Sequence, residues 1–373
     1  MRTTLIAALA GLAGMPLHAG TVWFGTQSRA GSEGIHVAQF DPANGRLSGL
    51  RVAARLGGAG FQALAPDGKS LYSTCAVDGG GGVAALRVNP DGTLTELNRR
   101  PTGGSGACFV GIDATGRCVL AANYGDGSVA SFPVAADGSL ATGGSVHRHA
   151  GKGPDQARQD GPHAHSIQPG PDNRFAYAPD LGIDKVVVYQ LDAARGTLAP
   201  AGAAELPPGS GPRHMKFGAG GRFAYVLNEL ALTVAVFERA AAGGGLARRA
   251  VVPVLPEGAD PAGITCSEIR ISADGRHLYT ANRDTARRGR DSISVLAIDD
   301  HGAPTRIQTV PAAVSIPRHI TLDPSGRWLL VCGEQSNEVA VLAVDAGGGK
   351  LGALAGKLPL GTPMCATFAG PPR

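Results

Sequence analysis

The chain has 373 residues, 43% hydrophobic and only 17% charged, a balance that supplies a large core and excludes a disordered chain. Its 56 glycines and 26 prolines, without a collagen-like period, point to many short strands joined by tight turns. The net charge of +4 is scattered along the sequence rather than gathered into a stripe, which argues against a nucleic-acid surface.

In chain order, Arg2 gives a positive start, Leu5 to Met15 is an apolar run, and Leu17-His18-Ala19 ends in small-residue cleavage chemistry. Residues 1–19 are therefore expected to be a signal peptide cut after Ala19, with 20–373 a single domain. The run is too short for a transmembrane helix, which needs about 20 apolar residues. The expectation is a periplasmic protein with no membrane association after cleavage. Six cysteines (Cys75, Cys108, Cys118, Cys266, Cys332, Cys365) lie mostly in apolar stretches, with no CxxC. They are expected to be buried free thiols rather than disulfides or metal ligands.

The next elements are fragments. Thr21–Gly25 and Gly34–Phe40, then Asn44–Leu47, read as strands with no partner before them. Six similar units follow, beginning at Phe61, Phe109, Ala164, Arg213, Ser267 and Arg318. Each reads as a strand, a turn closed by Gly or Asn plus a basic residue, an apolar strand, a loop, an alternating strand and a last strand. The turns at Gly68-Lys69, Gly116-Arg117, Asn173-Arg174, Gly221-Arg222, Gly275-Arg276 and Gly326-Arg327 recur about every fifty residues, a spacing typical of propeller repeats. Met364–Ala369 is a first strand with nothing after it. Joined to the N-terminal fragments, it completes a seventh unit and removes the exposed sheet edges. The fold class is all-β: a seven-bladed β-propeller of four-stranded blades, with no helix beyond a turn or two. A solenoid or two all-β domains would leave the complementary ends unexplained.

In such a ring the loop before the first strand and the loop between the second and third strands open on one face. At the first position the units carry Cys108, His163 and His165, Arg213-His214, Ser267-Glu268 leading to Arg270, and Arg318-His319. At the second they carry Tyr124, Asp180, Asn228-Glu229, Asn282-Arg283 and Glu334. A purely structural repeat would use small or turn-forming residues there, so this convergent polar cluster is the candidate site. Plainer roles stand beside the catalytic ones. His165 serves equally as an interblade hydrogen-bonding residue, Arg213 as an ion-pair partner of Glu229, and Arg318-His319 as a packing repeat of Arg213-His214. His147, His149, His163 and His165 lack regular metal-ligand spacing, and no metal or cofactor is expected.

The stretches GPHAHSIQPGPDNRFAYAPDLGIDKVVVYQLD, GPRHMKFGAGGRFAYVLNEL, SEIRISADGRHLYTANR and IPRHITLDPSGRWLL together resemble the seven-bladed β-propeller lactonase family, which includes propeller 6-phosphogluconolactonases and the fungal 3-carboxy-cis,cis-muconate lactonizing enzyme. The resemblance runs from about Thr21 to Phe368 and implies a cofactor-independent ester hydrolase acting on a small lactone. It implies His165, Arg213 and Glu229 as catalytic residues. His163, Asp180, His214, Asn228, Arg270, Arg283, Arg318 and His319 are the candidate substrate-binding set. Export favours an unphosphorylated aldonolactone such as glucono-1,5-lactone over its 6-phosphate. A muconate-type cycloisomerase and a non-catalytic binding propeller are the alternatives, and the expected state is a monomer or weak dimer.

Overall fold

A computed structural model describes residues 20–240 and 242–370; the expected leader over 1–19 lies outside the described residues. The chain forms seven antiparallel sheets of four strands each. The first strands of the blades neighbour one another around a central channel. The blade that closes the ring pairs Pro363–Phe368 with Thr21–Thr26, then Gly34–Asp41 and Arg46–Arg55. Val22 faces Phe368 and Gly25 faces Cys365 in that closure, so the two terminal fragments are parts of one blade, as the sequence requires. The one helical element among the described residues is a three-residue 3₁₀ turn, Ala219–Gly221.

Buried apolar residues cluster between neighbouring blades, for example Tyr279, Ile293 and Val295 against Ile320, Leu329 and Val331. This is sheet-on-sheet packing repeated around a circle, which explains why second strands such as Cys118–Asn123, Phe175–Asp180 and His277–Asp284 are buried along their whole length. In four of the seven blades an aromatic on the second strand pins the blade to the outer hairpin of the next. Trp23 Nε1 donates to the Gly92 carbonyl at 2.8 Å, Tyr72 Oη to Gly138 at 2.9 Å, Tyr225 Oη to Gly302 at 3.0 Å and Tyr279 Oη to Gly349 at 2.8 Å. All four glycines have positive φ, a backbone shape that side chains resist. The six cysteines are free, five of them buried and Cys108 half-buried.

The innermost strands share an irregularity that the repeat pattern does not announce. Their register slips by one residue between Ala107 and Phe109, Pro212 and His214, Cys266 and Ile269, and Pro317 and His319. The closing blade has the same slip around Met364. In the fourth blade the innermost strand is reduced to Gln168–Pro169 plus an isolated bridge between Ala164 and Asp180, rather than the full strand expected from Ala164. The extra residue of such a bulge leaves the ladder and its side chain is re-aimed. The bulged positions are Cys108, Arg213, Ser267-Glu268, Arg318 and Met364.

Candidate active site

The bulges define the site. A cavity of about 290 Å³ opens at this mouth of the channel, lined by Gln27, Ala107 and two loop glycines and by six further residues, Phe61, Cys108, Arg213, His214, Arg318 and Met364. Four of those six residues occupy bulge positions. Below, Phe61 and Phe109 stack at 4.4 Å between ring centres. His214 and His319 stand edge-on to Phe61 at 5.7 and 5.6 Å. This plug separates the cavity from the opposite mouth.

Glu229 is the electrostatic centre of the wall. It follows the second strand of the fifth blade, Phe223–Asn228, and its amide donates to the Gly211 carbonyl at 2.7 Å. Its carboxylate lies 2.9 Å from Arg213 Nε, 2.8 Å from Arg158 Nη2 and 3.0 Å from Arg283 Nη2. The Arg213 approach is a close ion pair rather than an aligned hydrogen bond. Burial alone would raise its pKa, but Arg283, Arg213 and Arg158 outweigh burial and hold it at about 2. Glu229 is thus firmly ionised, 3% exposed, and a weak base. Its chemistry is to gather three guanidiniums.

Arg213 is 2% exposed. One of its Nη atoms donates to the Ser267 carbonyl and lies 3.3 Å from His214 Nε2. Burial, with Arg318 and Arg283 nearby, lowers its pKa to about 9, so it remains a cation at neutral pH. Arg318 is half-buried and makes no hydrogen bond or ion pair among the described residues, leaving its donors to the cavity. His214 Nδ1 lies 3.1 Å from the fully buried Glu268; even so, burial takes its pKa down to about 4.

His165 lies one layer behind Cys108, with Nδ1 3.8 Å from the Cys108 sulfur. Its ring stands edge-on to Tyr124 and to His214, both at 5.3 Å. Burial, reinforced by Arg213, His214 and Arg318, holds its pKa well below the usual imidazole value. Its Nε2 makes no hydrogen bond among the described residues. Burial pushes the Cys108 thiol up to about 11, so it is no ready nucleophile.

His165, Arg213, Glu229, His214, Arg283 and Arg318 therefore come together. His163 stands at the rim, stacked on Tyr124 at 4.5 Å with Nδ1 2.7 Å from the Tyr124 carbonyl. The remaining four are placed elsewhere. Asp180 is fully buried, accepting from the amides of His163 and Gly182 at 2.7 and 2.9 Å and lying 2.6 Å from His149 Nδ1; it holds the loop and meets no open space. Asn228 is fully buried and donates to Thr233. His319, one residue past its bulge, belongs to the plug, and Arg270, two residues past the Ser267-Glu268 bulge, lines the opposite mouth. Arg158 was not among the expected residues. It comes from the long connection after Ser145–Arg148, where no period marks function, and bridges Glu229 to the Tyr124 hydroxyl at 3.2 Å.

The family model "Lactonase, 7-bladed beta-propeller" matches residues 21–368. The chain belongs to that family. The enzyme class expected from the sequence, an ester hydrolase acting on lactones, is that of the family. A 6-phosphogluconolactonase of Bacillus subtilis is 34% identical over 348 residues, covering 93% of this chain and 97% of the relative. The solved structure of the Pseudomonas aeruginosa periplasmic gluconolactonase, PpgL, superposes with a TM-score of 0.85 at 32% identity, covering 95% of this chain and 99% of that one. A Lactobacillus plantarum protein of known structure gives a TM-score of 0.86 at 29% identity, covering 94% and 99%.

Proposed function

We propose that this lactonase hydrolyses a small aldonolactone, glucono-1,5-lactone or a near relative, at the Arg213–Arg318 mouth. The observation that carries the reading is the pairing of two cavity-lining guanidiniums with a neutral, unengaged imidazole nitrogen. Water adds to the lactone carbonyl carbon while His165 Nε2 takes its proton. Arg318, with Arg213 beside it, stabilises the oxyanion, a service whose loss commonly costs about 10²–10³ in rate. The tetrahedral intermediate collapses by breaking the ring C–O bond, and the imidazolium returns its proton to the departing oxygen, giving the hydroxy acid. His165 suits both proton transfers, together worth about 10²–10⁴, and Glu229 is a positioning residue that fixes the arginines. The size of the cavity suits a single sugar ring, and the expected export favours a substrate without phosphate.

The test is a pH-stat assay of the purified protein against glucono-1,5-lactone, its 6-phosphate and carboxymuconolactone. Gluconolactone should be hydrolysed well above the spontaneous rate and in preference to the other two. His165→Ala should lower kcat/KM at least about tenfold while thermal unfolding stays close to wild type. No acceleration of gluconolactone, or an unchanged rate in the variant, would sink the proposal.

A further inference from the structure

At the mouth opposite the candidate active site the channel opens into a larger cavity of about 670 Å³. Its wall carries Lys216 from the fifth blade and Arg270 from the sixth, set among Phe61, Phe109, Phe217 and Leu64. We propose that this mouth is a second ligand site, which takes the carboxylate of a small molecule with an apolar body between Lys216 and Arg270.

The charge arrangement supports this. Lys216 is half-buried and makes no hydrogen bond or ion pair among the described residues. Arg270 spends Nε on the Ile320 carbonyl at 2.9 Å, and its Nη2 lies 2.6 Å from His319 Nε2. Its Nη1 makes no hydrogen bond among the described residues. The nearest carboxylate, Glu268, is fully buried and divided among His214 at 3.1 Å, His319 at 3.4 Å and Arg270 at 3.7 Å. Asp323, the acidic residue lining the cavity, is 3% exposed and accepts from Ser325 and from the Trp328 amide within its own turn. Two basic side chains thus face a concave, largely apolar space; among the described residues Arg270 has only the shared Glu268 as counter-ion and the Lys216 ammonium has none, and burying a charge without a partner is costly. Desolvation, with Arg270 adding to it against Glu268, brings Lys216 down to about 7; a bound carboxylate would favour its charged form. The aromatic and leucine walls suit a ligand with an apolar body better than a bare phosphate. The plug of Phe61, Phe109, His214 and His319 makes this a separate site rather than an extension of the first.

Lysine acylation read by mass spectrometry tests the proposal on the intact wild-type protein, with benzoate as the probe and exposed Lys69 as the internal reference. Saturating benzoate should slow acylation of Lys216 by about tenfold and leave Lys69 unchanged, and inorganic phosphate should protect far less. Calorimetric binding of benzoate should vanish in Lys216→Met and persist in Arg318→Met, which alters only the other mouth. Labelling of Lys216 indifferent to benzoate, equal protection by phosphate, or binding that depends on Arg318 would each overturn it.

Discussion

Arg318 and Glu229 show how differently two charged residues of one wall behave. Arg318 has no protein partner among the described residues and opens on the cavity, so its removal should cost catalysis rather than stability. Arg318→Met is expected to lower kcat for lactone hydrolysis by about 10²–10³ with an unfolding midpoint equal to or above wild type; a midpoint well below it would mark Arg318 as structural. Glu229 is the reverse case. Its removal leaves three guanidiniums, two of them almost fully buried, without their counter-ion. Breaking a buried pair on one side typically costs about 3–5 kcal/mol, so Glu229→Gln should lower both activity and denaturation midpoint. His165, Arg213 and Glu229 were legible in the sequence because they break the small-residue habit of their repeat positions. Arg158 was not, because a loop residue outside the repeat has no internal counterpart against which to stand out.

Strands and loops decide where those side chains point. The one-residue slips of the innermost strands put Arg213, Arg318 and Cys108 on the cavity wall, and the next residues of alternation, His214 and His319, into the plug. A sequence pattern of period two cannot show a bulge, because the extra residue shifts the alternation by one without altering composition. The fourth blade uses another device: its turn at Gly182 lies against the backbone that carries His163. A Cβ there would collide with the Gly161 carbonyl and come 2.9 Å from the His163 amide nitrogen. Gly182→Ala should therefore displace the segment leading to His165, costing about 1–3 kcal/mol and most of the lactonase activity. An alanine variant with wild-type kcat/KM would show that this segment does not set the position of His165.

For the molecule as a whole, burying many imidazoles beside one channel makes stability depend on pH. His165 and His319 are held well below the ordinary imidazole pKa by burial, and His214 is brought to about 4. Below the unfolded value of about 6.5, the unfolded chain takes up protons that the folded one refuses, so stability is lost as the pH is lowered. The loss should extend from pH about 6.5 toward 4. A second loss should follow as pH drops from the ordinary glutamate value through about 2, where Glu229 finally protonates. Thermal melts across this range should show a midpoint falling from near neutrality onward; a flat profile between pH 7 and 4.5 would contradict the neutral-imidazole picture.

The sequence by itself determined the number of blades, the closure of the ring by its two ends and the polar character of one mouth, since repeats, turn signals and strand alternation are local properties of the chain. Tertiary structure alone decided that Asp180 and Asn228 are sealed inside and that Arg270 serves the other end of the channel. It also brought Arg158 across from a distant loop to complete the cluster on Glu229. These outcomes depend on bulges and on contacts between blades far apart in sequence, where packing rather than local pattern sets the direction of a side chain.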